Sequence, residues 1–449
     1  MSMSAEPLSL AALRECLDGA VPSAVATCAA DGTPNVSVVS HVQYVDERHV
    51  ALSFQFFSKT RENILATRRA SALLIHPETA ATYRLDLEYL RTETEGPLFE
   101  NMKARLAGIA SHTGMSGVFK LRGSDVYRVE RIEALPGRVL PTAPRRNLLP
   151  LLRECAERFS LSGDLGTLLD TALAMLDRVF GVRHGMILML DGTGKRLFTV
   201  ASRGYEASGV GSEIATGCGV IGVAAAHATP IRITHMSADY SYGNAVRESA
   251  QREGLEDLIE TAIPFPGLAD SRSQLAVPII VGGRVLGVLY VESPQDRRFG
   301  YDDEDALVAF AAPLGLAILH LQHSAETQDE APAPASPAAP TRGEPTVIRH
   351  YAADDSVFIG DDYLIKGVAG AIFAKLVREH AGKGRSEFTN RELRLDPSLR
   401  LPELGDNLEA RLILLQRRLA ERCSFLRIEK TGRGRFRLAA DRAYRLSEA

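Results

Sequence analysis

The sequence predicts a multidomain protein of mixed α+β class, and three observations predict it. At 449 residues the chain exceeds what one ordinary core accommodates, and length alone suggests about three domains. A Pro/Ala tract, Gln328 to Pro345 (QDEAPAPASPAAPTRGEP), buries too little apolar surface to fold and reads as an extended linker. A second break, Leu135 to Arg146 (LPGRVLPTAPRR), holds three prolines and three arginines. The expected division is therefore 1–134, a linker over 135–146, 147–324, a second linker over 325–350, and 351–449. No internal repeat is visible.

Composition narrows the function classes. Apolar residues make up 45% and charged residues 24%, as in ordinary globular proteins. The net charge of −4 advertises no polyanion or membrane partner for the chain as a whole, so a nucleic-acid surface would have to be local. No apolar run of about 18 residues stands out, so no transmembrane helix is expected. Met1 to Leu17 carries Glu6 and Pro7 without a basic stretch followed by an apolar one, which makes a poor signal peptide. The five cysteines are scattered, odd in number and without CxxC spacing. That pattern argues against a disulfide framework or structural zinc and fits a reducing cytoplasm.

The first segment opens with a helix, Leu8 to Leu17. Strand patterns follow at Ala24 to Cys28, Asn35 to Tyr44 and Val50 to Phe54, separated by turn residues such as Asp31-Gly32-Thr33-Pro34. Arg61 to Arg68 reads as a short helix and Ser71 to His76 as a strand. Gly117 to Arg131 reads as two more strands. Many short strands with one or two helices imply a small antiparallel barrel. Ser58, Lys59, Thr60 and Arg61 put hydroxyls and charge beside a helix N-terminus, which suits a phosphate. The stretches VATCAADGTPNVSVVSHV (Val25 to Val42), FFSKTRENI (Phe56 to Ile64) and FKLRGSDVYRVERI (Phe119 to Ile132) resemble the pyridoxamine 5′-phosphate oxidase-like, FMN-binding split-barrel family. The resemblance implies FMN as cofactor, with Ser58, Lys59, Thr60 and Asn63 on its phosphate and Ser37, Val38 and Val39 along the flavin ring. That family also has haem-binding members and members without a cofactor, and its enzymes' further basic contacts are not matched here.

The second segment reads as a helix over Leu148 to Phe180, strands at His184 to Asp191 and Arg196 to Ser202, then Gln274 to Val281 and Arg284 to Glu292. Gly282-Gly283 between the last pair is a two-residue hairpin signal. A final helix, Asp303 to His323, starts among acids that suit capping and the helix dipole better than a metal. Helices on one side of such a sheet make an α+β layer. GCGVIGVAAAHATPIRI (Gly217 to Ile233) and SQLAVPIIVGGRVLGVLYVES (Ser273 to Ser293) resemble a GAF domain, an α/β sensor fold. The resemblance implies a small-molecule ligand, with Cys218, Gly219 and His235 as candidate pocket residues, and pairing into a homodimer through flanking helices. Gly217 to Gly222 also fits GxGxxG, but the preceding SEIAT does not read as a buried strand and no repeated βαβ units follow, so the glycines are expected to serve a tight turn. His320 and His323 lack a third metal ligand. No metal site and no catalytic motif is expected.

The third segment has helical spacing over Lys366 to His380 and Asn407 to Glu421. Thr389-Asn-Arg-Glu392 is a capping box that starts a further helix. Phe425 to Lys430 and Arg435 to Leu438 flank Thr431-Gly432-Arg433-Gly434 as a hairpin. Three helices and a hairpin outline a winged helix, and the stretch resembles winged-helix DNA-binding domains of bacterial regulators. From Arg411 to Arg445 eleven Lys/Arg face three acids. Arg411, Arg417, Arg418 and Arg422 fall where a recognition helix would lie, and Arg433 and Arg435 at the wing. The expected function is a cytoplasmic sensory regulator that couples a cofactor or small ligand to DNA binding. The alternatives are a flavin-dependent oxidoreductase with regulatory domains, or an interaction scaffold without cofactor.

Overall fold

The computed structural model describes residues 8–17, 21, 23–39, 42–54, 59–96, 98–99, 101–103, 121–141, 147–233, 263–295, 297–327, 345–399, 408–432 and 434–448. The fold is mixed α+β, built on curled antiparallel sheets. The first sheet has seven strands: β1 (Ser23–Cys28), β2 (Pro34–Val39), β3 (Val42–Tyr44), β4 (His49–Phe54), β5 (Arg69–Ile75), β6 (Thr82–Glu93) and β7 (Gly123–Ala134), in the order β2-β1-β5-β6-β7-β4-β3. A 3-10 helix, Ala11–Leu17, and helix α1, Lys59–Thr67, lie against it. Leu10, Leu13, Leu17, Val25, Leu74, Leu85 and Tyr127 fill its core.

Three readings of this segment change. The strand expected over Asn35 to Tyr44 is two, β2 and β3, at opposite edges of the sheet. The twelve-residue strand β6 was not anticipated, although Leu85 and Leu87 alternate there with Arg84, Asp86 and Glu88 at the period of a half-buried strand. The two strands expected within Gly117 to Arg131 are one long strand, β7, whose expected start lies outside the described residues. Past β7 the chain stays on the barrel, where the Leu140 amide donates to the Thr79 carbonyl (2.8 Å).

The central sheet has six strands in the order β10-β9-β8-β13-β12-β11: β8 (His184–Leu190), β9 (Arg196–Arg203), β10 (Glu213–Ala215), β11 (Ile231–Ile233), β12 (Ser273–Val281) and β13 (Arg284–Ser293). Its helices are α2 (Leu149–Ser160), α3 (Leu165–Phe180), α4 (Gly219–His227) and α5 (Tyr301–Thr327). The single helix expected over Leu148 to Phe180 is broken at residues 161–164. Asp164 takes an extended backbone and accepts from the Thr167 amide (3.0 Å), which begins α3 afresh. Phe310 of α5 meets Phe159 and Phe180 edge-on, with centroids 5.0 and 5.8 Å apart, and ties α2, α3 and α5 into one layer. On the opposite face Val220, Ile221 and Ala224 of α4 pack against Met186, Leu188 and Val288. Over Tyr301–His323, α5 is long and apolar enough to cross a membrane by length and composition, contrary to the expectation of no such stretch. Its Leu307, Phe310, Leu314 and Ile318 are buried in the core.

The third part comprises β14 (Thr346–Tyr351), β15 (Ser356–Ile359), β16 (Asp362–Ile365), α6 (Gly367–Lys383), β17 (Glu387–Thr389), α7 (Asn390–Leu395), α8 (Leu408–Arg422), β18 (Leu426–Gly432), β19 (Arg435–Ala440) and β20 (Tyr444–Glu448). They form a four-stranded sheet, β16-β15-β14-β20, and a three-stranded one, β17-β19-β18. Thr389 caps α7 by accepting from the Glu392 amide (3.2 Å), as the capping box requires. Strand β14 begins inside the stretch expected as linker, because β20 pairs with it in parallel from the far end of the segment. Most of the Pro/Ala tract lies outside the described residues.

The parts touch. Arg14 pairs with Asp305 (3.0 Å) and lies over the Tyr301 ring, which Arg232 covers as well. The core of the third part is continuous with the helix-side core of the central sheet. Among the described residues no strand crosses from one sheet to another, so there the third part is docked and not interleaved.

Candidate functional site

At the barrel, α1 begins at Lys59; Ser58 lies outside the described residues. The Thr60 hydroxyl donates to Ser37 Oγ (2.9 Å) and accepts from Asn35 Nδ2 (2.8 Å), so Ser37 and Thr60 are brought together. Asn63 is buried and donates to Thr27 Oγ1 (3.2 Å), which holds α1 against β1. Lys59 is exposed, 3.6 Å from Glu62. Val38 is exposed on β2, and Val39 is half-buried beside it. Arg61 reaches both oxygens of Asp125 (3.3 Å each) and Thr92 (3.2 Å). Burial pushes the Asp125 carboxyl up, against the opposing pull of Thr92 and Arg61. A phosphate here would meet the α1 amides, Lys59 and the Ser37–Thr60 hydroxyl pair, while Arg61 and Asn63 are committed elsewhere.

On the central sheet, strand register assembles a site that sequence reasoning missed. Glu292 on β13 stands opposite Gln274 on β12 and opposite His184 on β8. Alternation puts all three on the face of Ala276, Tyr290 and Met186, the face that α4 covers. Glu292 is 1% exposed. Its Oε1 accepts from the Leu268 amide (3.2 Å) and its Oε2 from the Tyr290 hydroxyl (3.3 Å). Burial pushes its carboxyl above the usual range, and the nearby polar groups of Ser271, Tyr205, Leu268 and Tyr290 work against that rise. Gln274, fully buried, donates through Nε2 to Ser271 Oγ (3.2 Å), and its Oε1 has no partner among the described residues. Burial, then Arg183, holds the His184 imidazole below its ordinary value. A buried acceptor without a donor, beside a desolvated carboxylate, is an arrangement that a ligand carrying N–H groups completes.

Of the pocket residues expected from sequence, Cys218 and Gly219 lie on the same side of the sheet. Half-buried Cys218 caps α4 with an extended backbone, and Gly219 follows at φ 59°. His235 lies outside the described residues. The GxGxxG glycines serve backbone packing: a Cβ on Gly222 would stand 2.3 Å from the Ala215 carbonyl oxygen. Among the described residues no group of His, Cys, Asp or Glu is arranged to hold a metal.

The basic helix turns largely inward. The Arg411 guanidinium lies 3.7 Å from the Phe198 ring centroid. Arg417 donates to the Val200 carbonyl (2.9 Å) and to Asp170 (2.7 Å). Arg418 is buried, donating to the Leu364 carbonyl (3.1 Å) and to Glu421 (3.2 Å), and burial holds it below its ordinary value. Arg422 is exposed and Arg435 half-buried; Arg433 lies outside the described residues.

The signal for Glu292 was present in the sequence. Val288, Tyr290 and Glu292 share one parity in LGVLYVES, so an acid stands on a face otherwise apolar. Because its folded carboxyl titrates above the unfolded value of about 4.3, the folded state holds the proton more tightly. Stability from this group is therefore complete below that value and is lost as pH rises above it. Glu292→Gln should abolish that loss, so wild-type melting temperature falls relative to the variant as pH rises above about 4.3. Parallel melting curves would reject a desolvated carboxyl.

Two family descriptions match the chain: pyridoxamine 5'-phosphate oxidase over residues 9–129 and GAF domain over residues 164–318. Protein YtsP of Bacillus subtilis (strain 168) is 37% identical over 81 residues, which are 17% of this chain and half the length of that relative. The GAF domain of an Acinetobacter phosphoenolpyruvate-protein phosphotransferase aligns over 40% of this chain and 97% of its own, at 24% identity and a TM-score of 0.31. An FMN-binding protein from Syntrophomonas wolfei subsp. wolfei aligns over 27% of this chain and 84% of its own, at 17% identity and a TM-score of 0.24. The chain carries a pyridoxamine 5′-phosphate oxidase-like N-terminal domain followed by a GAF domain.

Proposed function

We propose that this protein is a cytoplasmic regulator that senses a small molecule bearing a protonated amine in its GAF domain and answers through DNA contact by its C-terminal part. One observation carries the reading: the buried Glu292 carboxylate, set in a row with the unpartnered Gln274 Oε1. A protonated amine supplies the charge that Glu292 lacks among the described residues and donors for both oxygens. Exposed Leu149 on α2 and Leu316 on α5 support pairing of two copies through these helices.

The output reading draws on element order. Helix α6, strand β17, helices α7 and α8, and the β18–β19 hairpin follow the winged-helix outline, with β17 joined to the hairpin. It also draws on the basic excess from Arg411 to Arg445. In this reading the domains are 1–134, 147–324 and the C-terminal part, the last extended back to Thr346 by β14.

For the barrel, FMN is the proposed cofactor, with its phosphate at Lys59, Thr60 and the α1 amides. Bound there, FMN would supply electron-transfer chemistry. The chain's own part is to hold the phosphate and to keep α1 fixed through Asn63.

Three outcomes follow. Small primary amines should raise the melting temperature where their alcohol counterparts do not, and Glu292→Gln should remove that difference; equal effects of amine and alcohol would reject charge recognition. Duplex DNA affinity should fall with salt at a slope of about −0.9 per phosphate contacted, and Arg435→Ala should flatten the slope by about one contact. Unchanged slope and affinity would remove Arg435 from the interface. Protein purified with flavin should show flavin absorption that Lys59→Ala diminishes; full retention of the band would place the phosphate elsewhere.

A further inference from the structure

Strand β9 serves two sites at once. On its helix-covered face, Phe198 and Val200 receive α8 through Arg411 and Arg417. Where β9 ends, the chain enters residues 204–212, the loop to β10. Near the start of that loop the Tyr205 ring lies 5.7 Å from the His184 ring, centroid to centroid, and His184 stands opposite Glu292 in the sheet. Three residues later the Ser208 hydroxyl donates to Glu421, near the end of α8. One short loop therefore packs beside the row of Glu292 at one point and touches the basic helix at another.

The loop is too tightly held to absorb a displacement locally. The Ser202 hydroxyl donates to the Ser208 carbonyl, and the Ser212 amide to the Gly209 carbonyl (2.9 Å). Gly209 adopts φ 58°, and a Cβ there would stand 2.0 Å from Pro266 Cδ. Gly211 adopts φ 91°, and its nearest neighbours include Ile263 and the Arg418 stem. Close-packed segments of this kind pass strain on instead of flexing.

The docked helix also cannot serve two partners. An arginine bonded to a carbonyl and a carboxylate, and another lying over an aromatic ring, present no free charge to a phosphate backbone. Building on the amine-sensing and DNA-binding reading above, we propose that the GAF domain holds the basic face of α8 shut, and that the β9–β10 loop opens it when a ligand at Glu292 displaces Tyr205. The contact is autoinhibitory, and residues 204–212 are its trigger.

The test uses the full chain, with amide hydrogen exchange over 408–422 as the primary readout. Tyr205→Ala removes the ring packed beside His184, Ser208→Ala cuts the link to Glu421, and Asp170→Lys sets a cation beside Arg417. Each should speed exchange in α8 by about five- to tenfold, while β8 and β13 keep wild-type protection. Arg417→Gln takes the place of Asp170→Lys should the latter unsettle α3. DNA affinity is compared in Ser208→Ala, whose charge equals that of the wild type, with a mixed-sequence duplex; it should tighten by about fivefold. Faster α8 exchange with no gain in DNA affinity upholds the held-shut contact and sinks DNA as its output. Unchanged α8 exchange in Tyr205→Ala and Ser208→Ala overturns the trigger, and unchanged exchange in every variant overturns the contact itself.

Discussion

The central sheet is covered on both faces, and that constraint governs what the rest of the molecule can do. Helices α2, α3 and α5 lie on one side and α4 on the other, so the middle strands are apolar at both parities. A polar group on such a strand is removed from water and is tolerated only with partners. Glu292 meets this condition through the Leu268 amide and the Tyr290 hydroxyl, and Gln274 meets it only in part. Anything that touches a doubly covered sheet from one side is felt through the same strands on the other. The sheet thus offers a route between a ligand face and a docking face without any moving domain in between.

Arginine is the residue that joins the parts. Arg14 and Arg232 sandwich Tyr301, Arg297 donates to the Pro77 carbonyl (2.7 Å), and Arg417 reaches from α8 to β9 and α3. A planar guanidinium bonds carbonyl and carboxylate together while lying against an aromatic face, which a lysine ammonium does less well. The basic excess of the C-terminal part is therefore partly internal. On its hairpin, Arg427 pairs with Asp441 and Arg437 with Glu429, and those arginines hold both acids below their ordinary range. Counting charges along the chain overstates the positive surface that a partner would meet.

Signals carried by a few neighbouring residues were legible. Gly282 and Gly283 both take positive φ, as the two-residue hairpin between β12 and β13 requires. The capping box at Thr389 starts α7 where the spacing indicated. Strand β6 was equally local, yet its inward face carries only Leu85 and Leu87 as buried residues, a thin signal among charges. The break between α2 and α3 could be read from Ser162-Gly163-Asp164, an N-cap preceded by a flexible residue, but helical spacing on both sides concealed it.

What the sequence determined by itself is the hairpin between β12 and β13, the capped start of α7, the glycines that turn tightly, and the resemblance of two long stretches to known folds. These depend on residues within a turn or a hairpin of one another. Only the tertiary structure decided that β20 completes the sheet of β14, that Gln274, Glu292 and His184 form one row, and that Arg411 and Arg417 face inward. Each of these joins residues distant along the chain, where pairing is selected by burial and register over the whole sheet and no local rule reaches.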